Sequence, residues 1–129
     1  GTPRSRAAAS ERWGLVFFFR GSCPYCHQFA PLLKQFAQRY GFGIVDVSLD
    51  GGGLPEFPHP KSNDRAADAL GVEAVPAVYL VEPRSRRVVP ATFGLVGWTE
   101  LVERVIHALD RAERPDQLAG AEFSLGASP

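Results

Sequence analysis

The sequence lacks several features that would assign it to a common protein class. Its 129 residues include only two cysteines, which excludes the disulfide framework of a small secreted scaffold. Fourteen basic and fourteen acidic residues balance, so the net charge does not favour a nucleic acid or an anionic membrane as partner. No apolar run approaches the roughly 18 residues needed to cross a bilayer, so no membrane span is expected.

What is present suits one folded domain. The hydrophobic fraction is 45%, with nine Phe, which is enough for a sizeable aromatic core. Residues 1–10 are polar and Ala-rich without the apolar stretch of a signal peptide, and they are predicted to form a flexible leader. Residues 11–112 are predicted to form the domain. The small, polar residues 113–129 are predicted to be a flexible tail.

The apolar pattern alternates between strands and helices. A continuous apolar run at 15–19 is typical of a strand buried on both faces. Further elements are predicted as a helix from Pro24 to about Tyr40 kinked at Pro31, a strand at 43–48, a loop at 50–61, a short helix from Asn63 or Asp64 to Ala69, strands at 77–81 and 87–93, and a helix after Gly97. This order predicts an α/β fold, a three-layer α/β/α arrangement around a central mixed β-sheet.

The two cysteines form the motif Cys23-Pro24-Tyr25-Cys26 between the first strand and the first helix. A Cys-x-x-Cys pair in this position is typical of a thiol–disulfide redox centre. Cys23 opens the helix, where unpaired N–H groups and the helix dipole stabilise a thiolate. Cys26 lies one turn further in. We therefore predict that both are catalytic, with Cys23 as the attacking thiol and Cys26 as the resolving thiol.

Other uses of the two cysteines stay open at this point. A zinc site needs about four ligands, and His27, His59 and His107 could supplement the thiols, although their spacing matches no common zinc motif. Cys23-x-x-Cys26-His27 also formally matches c-type haem attachment. The strand-rich pattern and the absence of Met argue against haem. Two buried structural thiols are a third alternative. No metal and no cofactor is expected.

A second feature is Val75-Pro76, directly before the strand-like run at 77–81. Most X–Pro bonds are trans, and this one could simply begin an edge strand. Together with the cysteine motif, Pro31 and Gly94, however, it resembles the thioredoxin superfamily over roughly residues 13–109. The resemblance implies a thioredoxin-like fold with a cis proline facing the thiols. The substrate-binding residues that it implies are Pro24, Tyr25, Val75 and Pro76.

The chain departs from thioredoxin at one position with a chemical role. Thioredoxins carry a buried acid six residues before the first cysteine, where it assists proton transfer from the resolving cysteine; here that residue is Phe17. Efficient thioredoxin-type reduction is therefore not expected. The Pro-Tyr dipeptide is that of glutaredoxins. Val75 before the proline is similar to bacterial periplasmic disulfide oxidases of the DsbA type.

A narrower resemblance is to the TraF/TrbB family, thioredoxin-like proteins of F-type conjugative transfer systems. The similar segments are FFF at 17–19, CPYCHQFAP at 23–31, QRYG at 38–41, VSLDGGG at 47–53, FP at 57–58 and GVxxVPA at 71–77. The resemblance implies a periplasmic protein of a Gram-negative bacterium that works with a type IV secretion apparatus. The TrbB branch is associated with disulfide isomerase activity, and some TraF members lack the cysteine pair.

The resulting expectation is a periplasmic thiol–disulfide oxidoreductase, an isomerase or oxidase. Its expected partners are protein thiols and disulfides, above all conjugation and pilus assembly proteins, together with a membrane redox partner. One alternative is a cytosolic thioredoxin-like reductase. The other is a non-catalytic pilus assembly factor that binds its partners through the same groove.

Overall fold

The computed structural model describes residues 9–113, and their elements follow the order β-α-β-α-β-β-α predicted from the sequence. The strands are β1 (Gly14–Phe19), β2 (Ile44–Ser48), β3 (Ala77–Glu82) and β4 (Arg87–Phe93); the helices are α1 (Pro24–Tyr40), α2 (Asp64–Leu70) and α3 (Trp98–Ala112). Residues 1–8 and 114–129, which hold most of the predicted leader and tail, lie outside the described residues. In the described part of the chain, no helix has the length and apolar character to cross a membrane.

The four strands form one mixed sheet in the order β2-β1-β3-β4. β1 pairs parallel with β2 and antiparallel with β3, while β3 pairs antiparallel with β4. Residues of α1 and α3 join one buried cluster, and Ala67 of α2 joins the cluster on the other side. The three-layer α/β/α fold with a central mixed sheet is confirmed.

β1 is one of the two inner strands of the sheet, and its three phenylalanines are fully buried. Phe18 belongs to the cluster beneath α2, whereas Phe17 and Phe19 belong to the cluster beneath α1 and α3. The Phe17 ring lies 5.8 Å from Phe29 of α1 and 5.4 Å from Phe57, between ring centroids. Phe57 comes from the segment at 50–61, so this loop is part of the core. Its glycines and prolines gave no sign of that in the sequence.

Local signals explain where the helices begin and end. α1 has Pro24 in its first turn, where no intrahelical N–H bond is lost, and Gly41 ends it in the left-handed conformation with φ of 80°. The helix runs through Pro31, and a kink there stays a prediction. The Asn63 side chain caps α2 by accepting from the Ala66 N–H at 3.0 Å.

The folded part of the chain begins before residue 11. Residues 9–12 form a helical turn, and the Trp13 N–H donates to the carbonyl of Ala9 at 2.7 Å. Ala9 and Trp13 are both buried. The packed structure therefore reaches back at least to Ala9, within the stretch predicted as a leader.

The loop at 50–61 is held by a close backbone approach that we expect to be sensitive to substitution. A Cβ on Gly53 would lie 2.7 Å from the Pro58 carbonyl oxygen, whereas a Cβ on Gly43 would meet no atom within 4 Å. We expect Gly53→Ala to lower the free energy of unfolding by about 1–3 kcal/mol, since backbone must shift. Gly43→Ala is the matched control and should change it by less than about 1 kcal/mol. Urea denaturation measures both, and equal effects would contradict the prediction.

Candidate active site

The cysteine motif lies where β1 passes into α1. A turn at residues 20–22 separates the two elements, and the Cys23 N–H donates to the Arg20 carbonyl at 3.1 Å. Cys23 has an extended backbone, with φ of −89° and ψ of 114°, and is the N-cap residue of α1. Pro24 and Tyr25 follow on the exposed first turn of the helix. The chain therefore folds as predicted at the motif, with the Cys23 thiol at the N-terminus of the helix.

The Cys23 thiol is half-buried and lies between two backbone groups. Its Sγ accepts from the Cys26 N–H at 3.2 Å, the contact that a Ser or Asp oxygen makes in an ordinary helix cap. On its other side the same Sγ lies 4.0 Å from the Val75 carbonyl oxygen. An N–H donor and the helix N-terminus both stabilise negative charge on this sulfur.

Cys26 is chemically identical to Cys23 but lies in a different environment. Its side chain is fully buried in the cluster that contains Phe17 and Phe29. Burial, followed by its hydrogen bond with Cys23, raises the pKa of the Cys26 thiol to about 12. Both cysteines are free thiols. One thiol is therefore accessible, while the other stays protonated at neutral pH.

Val75 and Pro76 meet the cysteine motif, although they lie about fifty residues further along the chain. The Val75–Pro76 peptide bond is cis, Pro76 is buried and Val75 is half-buried. The Pro76 carbonyl accepts from the Gly94 N–H at 2.8 Å, which brings the end of β4 alongside.

Apolar side chains are exposed on the first turn of α1 and on either side of Gly94, whose N–H binds the Pro76 carbonyl. Tyr25 is 58% exposed, and Phe93 and Leu95, on either side of Gly94, are 49% and 44% exposed. The sequence pattern did not indicate a role for Phe93 or Leu95. The only signal that could have found them was their position next to Gly94.

The three histidines do not gather around the thiols. His27 is exposed, and its Nε2 lies 2.7 Å from the Gly21 carbonyl oxygen, so that the ring nitrogen donates to it. Between residues 9 and 113, no three His, Cys, Asp or Glu side chains come together in a way that could hold a metal ion.

Asp50, to which the sequence pattern gave no role in the site, lies beside the motif. The Asp50 carboxylate accepts from the N–H groups of Gly21, Ser22 and Gly52 and from the Ser22 hydroxyl, at 2.8–3.2 Å. The bond from the Gly21 N–H, then the bond from the Gly52 N–H, hold the pKa of this carboxyl well below its usual range. The signal in the sequence was an acid at the end of a strand, next to glycines.

Comparisons with known proteins agree with this geometry. The family model described as F plasmid transfer operon protein, TraF, matches residues 5–106. Protein TraF of Escherichia coli strain K12 is 32% identical over 101 residues, which are 78% of this chain and 41% of TraF. Protein TrbB of the same strain is 56% identical over 46 residues, which are 36% of this chain and 25% of TrbB. The chain therefore spans less than half the length of either relative.

Solved structures confirm the thioredoxin-like fold. DsbF of MTB superposes with a TM-score of 0.57 at 22% identity, over 78% of this chain and 84% of DsbF. Thioredoxin of Fasciola hepatica superposes with a TM-score of 0.56 at 20% identity, over 81% of this chain and 88% of that thioredoxin. The family resemblance drawn from the residues is confirmed as well: the chain belongs to the TraF family of F plasmid transfer operon proteins.

Proposed function

We propose that this chain is a thiol–disulfide oxidoreductase of the periplasm that acts as an isomerase or oxidase on proteins of a conjugative transfer apparatus. The observation that carries the proposal is the position of the Cys23 Sγ. It caps α1 by accepting from the Cys26 N–H, and it lies 4.0 Å from the Val75 carbonyl oxygen. Membership of the TraF family supports the assignment to conjugative transfer. The periplasm and the isomerase or oxidase activity rest on the sequence resemblance.

The proposed chemistry is two successive thiol–disulfide exchanges. The Cys23 thiolate attacks one sulfur of a substrate disulfide, which forms a mixed disulfide and releases the other substrate sulfur as a thiolate. Cys26 then loses its proton and attacks the Cys23 sulfur. The second substrate sulfur leaves as a thiolate, and a Cys23–Cys26 disulfide remains. Two electrons have passed to the substrate, and the reverse sequence oxidises a substrate dithiol.

Isomerisation and oxidation use the same atoms from different starting states. An isomerase must be kept reduced, so that the Cys23 thiolate can attack a wrong disulfide and leave after the substrate has rearranged. An oxidase must be kept as the disulfide. A membrane redox partner is the proposed means of setting that state.

Substrate binding is proposed at the backbone of Val75 and at the apolar surface next to Cys23. A peptide extended along Val75 would bring its own sulfur to the Cys23 Sγ, because the Val75 carbonyl oxygen lies 4.0 Å from that atom. Pro24, Tyr25 and the exposed Phe93 would contact the side chains beside the reacting sulfur. Backbone pairing with apolar flanks suits unfolded or partly folded protein substrates.

The roles of the two thiols can be tested by trapping. We expect iodoacetamide to modify Cys23 before Cys26 in the reduced protein, because Cys23 is accessible and Cys26 is fully buried. Cys26→Ser should accumulate mixed disulfides with substrate, and Cys23→Ser should accumulate none. Mass spectrometry identifies the modified sulfur. If Cys26 is modified first, the assignment of roles is wrong.

The Cys23→Ser variant also separates catalysis from a purely structural role. Cys23→Ser should abolish the reactivation of a scrambled disulfide protein and should impair conjugative transfer. Full transfer with Cys23→Ser and no catalysis would select the non-catalytic assembly factor.

The second exchange should depend steeply on pH. The pKa of the Cys26 thiol is raised to about 12, mainly by burial, so its thiolate fraction rises with pH throughout the accessible range. We expect resolution of a Cys23 mixed disulfide to accelerate about tenfold per pH unit between pH 6 and 9. Stopped-flow release of a chromogenic thiol measures this rate. A plateau below pH 8 would show that Cys26 ionises much more easily than its buried position indicates.

The reduction potential should be less reducing than that of thioredoxin. Phe17 fills the position of the buried acid, so no carboxylate there opposes a negative charge on the thiols. We expect a value above about −270 mV, nearer the −180 mV or so of protein disulfide isomerase. Equilibration with glutathione buffers measures it. Reduced protein should also resist denaturant better than oxidised protein. A potential at or below that of thioredoxin would favour the reductase alternative.

A further inference from the structure

We propose that Asp50 is a positioning residue of the redox centre: its carboxylate fixes the turn before Cys23 and thereby maintains the Cys23 sulfur as the cap of α1. The inference rests on the proposed function, since it concerns the reactivity of that sulfur. The hydrogen bonds of the Asp50 carboxylate go to the turn at 20–22, to Gly52 and to the Ser48 hydroxyl, rather than to either cysteine.

The two oxygens of the Asp50 carboxylate accept hydrogen bonds from different groups. Oδ1 accepts from the Gly21 N–H at 2.8 Å and from the Gly52 N–H at 2.9 Å, and so joins the turn at 20–22 to the loop at 50–61. Oδ2 accepts from the Ser22 N–H at 3.2 Å and from the Ser22 hydroxyl at 2.9 Å. The Ser48 hydroxyl has one hydrogen and lies within reach of both Oδ1 and the Gly52 carbonyl oxygen. Two consecutive residues of the turn before Cys23 are therefore bound to one side chain.

Two carbonyl groups of this turn also have hydrogen-bond partners. The Gly21 carbonyl accepts from the His27 Nε2 at 2.7 Å, and the Arg20 carbonyl accepts from the Cys23 N–H at 3.1 Å. Asp50 supplies acceptors for the two N–H groups that the turn cannot satisfy itself. The backbone entering Cys23 thus has little freedom, and the sulfur can hold its 3.2 Å contact with the Cys26 N–H.

The two loops approach so closely that only glycine fits between them. A Cβ on Gly21 would lie 2.7 Å from both Cα and C of Gly52. No side chain can therefore interlock the loops at this point, and the hydrogen bonds to Asp50 join them directly. Removing the carboxylate leaves three backbone N–H groups without their acceptor and should loosen the turn.

The negative charge of Asp50 could also affect Cys23 directly, and this effect would change the reactivity of Cys23 in the opposite direction. A negative charge near Cys23 disfavours a thiolate, so removing the charge alone would make Cys23 more reactive. The carboxylate is at the surface, where water and salt screen such repulsion. The positioning role predicts that Cys23 becomes less reactive when Asp50 is removed, because a loosened turn weakens the contact with the Cys26 N–H that stabilises the thiolate. The direction of the change therefore distinguishes the two effects.

Asparagine separates the two oxygens experimentally. In Asp50→Asn the amide oxygen can still accept from Gly21 and Gly52, whereas the NH₂ group cannot accept from the Ser22 N–H. Asp50→Ala loses both sets of bonds. The control is Asp46→Asn, which removes one negative charge from β2, four residues before Asp50; the Asp46 carboxylate pairs with Lys61 at 3.8 Å rather than with the turn.

The experiment measures each variant's equilibrium with glutathione and its rate of Cys23 alkylation at neutral pH. We expect Asp50→Ala to shift the equilibrium about tenfold towards the disulfide, which is about 30 mV towards more reducing values. Alkylation of Cys23 should also be slower in Asp50→Ala than in the wild type. Asp50→Asn should fall between Asp50→Ala and the wild type, and Asp46→Asn should match the wild type.

Different failures have different meanings. If the wild type does not equilibrate with glutathione, the proposed function fails. If the wild type does, but Asp50→Ala matches it or alkylates faster, the positioning role is overturned. Hydrogen exchange tests the hydrogen bonds from Asp50 to the turn without redox chemistry, since the Gly21 and Ser22 amides should lose protection in Asp50→Ala. Should Asp50→Ala not fold, Asp50→Asn and Ser22→Ala, which removes only the hydroxyl bond, carry the same test with smaller shifts.

Discussion

The candidate site depends on one physical constraint: Cys23 must be the N-cap residue of α1. Only then does the sulfur replace the usual capping oxygen and receive the Cys26 N–H at 3.2 Å. Pro24 favours this start from the C-terminal side, because its ring fits the first turn of a helix. The turn at 20–22 favours it from the N-terminal side. A helix that began one residue later would leave the sulfur outside the cap.

The aromatic core gives the two thiols their different chemistry. Phe17 and Phe29 hold α1 against β1, and Cys26 is buried in the same cluster. Packing that stabilises the fold therefore also removes Cys26 from water and raises its pKa. Cys23, three residues earlier, remains half-exposed at the end of the helix. The asymmetry between the two thiols, on which their proposed roles as attacking and resolving thiol depend, follows from one helical turn that crosses from the surface into the core.

Local signals made much of the fold predictable. The apolar run before the motif and the glycines at 41 and 71 located β1 and the ends of α1 and α2 closely. Both thiols and the Val75-Pro76 step were also identified. The roles of Asp50 and Phe57 could not be predicted in the same way, because their partners lie about thirty to forty residues away. Periodicity describes which face a residue presents, but it does not say which distant loop that face will meet.

Sheet topology explains why such distant residues converge. β1 and β2 are parallel, so both end at the same edge, where the turn after Phe19 meets Asp50. β3 runs antiparallel to β1, and Phe18 pairs with Ala77, so β3 begins at that edge with Val75-Pro76 just before it. β4 returns to the edge, since Ala77 pairs with Phe93. The ends of three strands and the start of a fourth therefore lie at the edge of the sheet where α1 begins. The Val75 carbonyl oxygen at this edge lies 4.0 Å from the Cys23 sulfur, and a backbone group in that place suits the proposed exchange with protein thiols and disulfides.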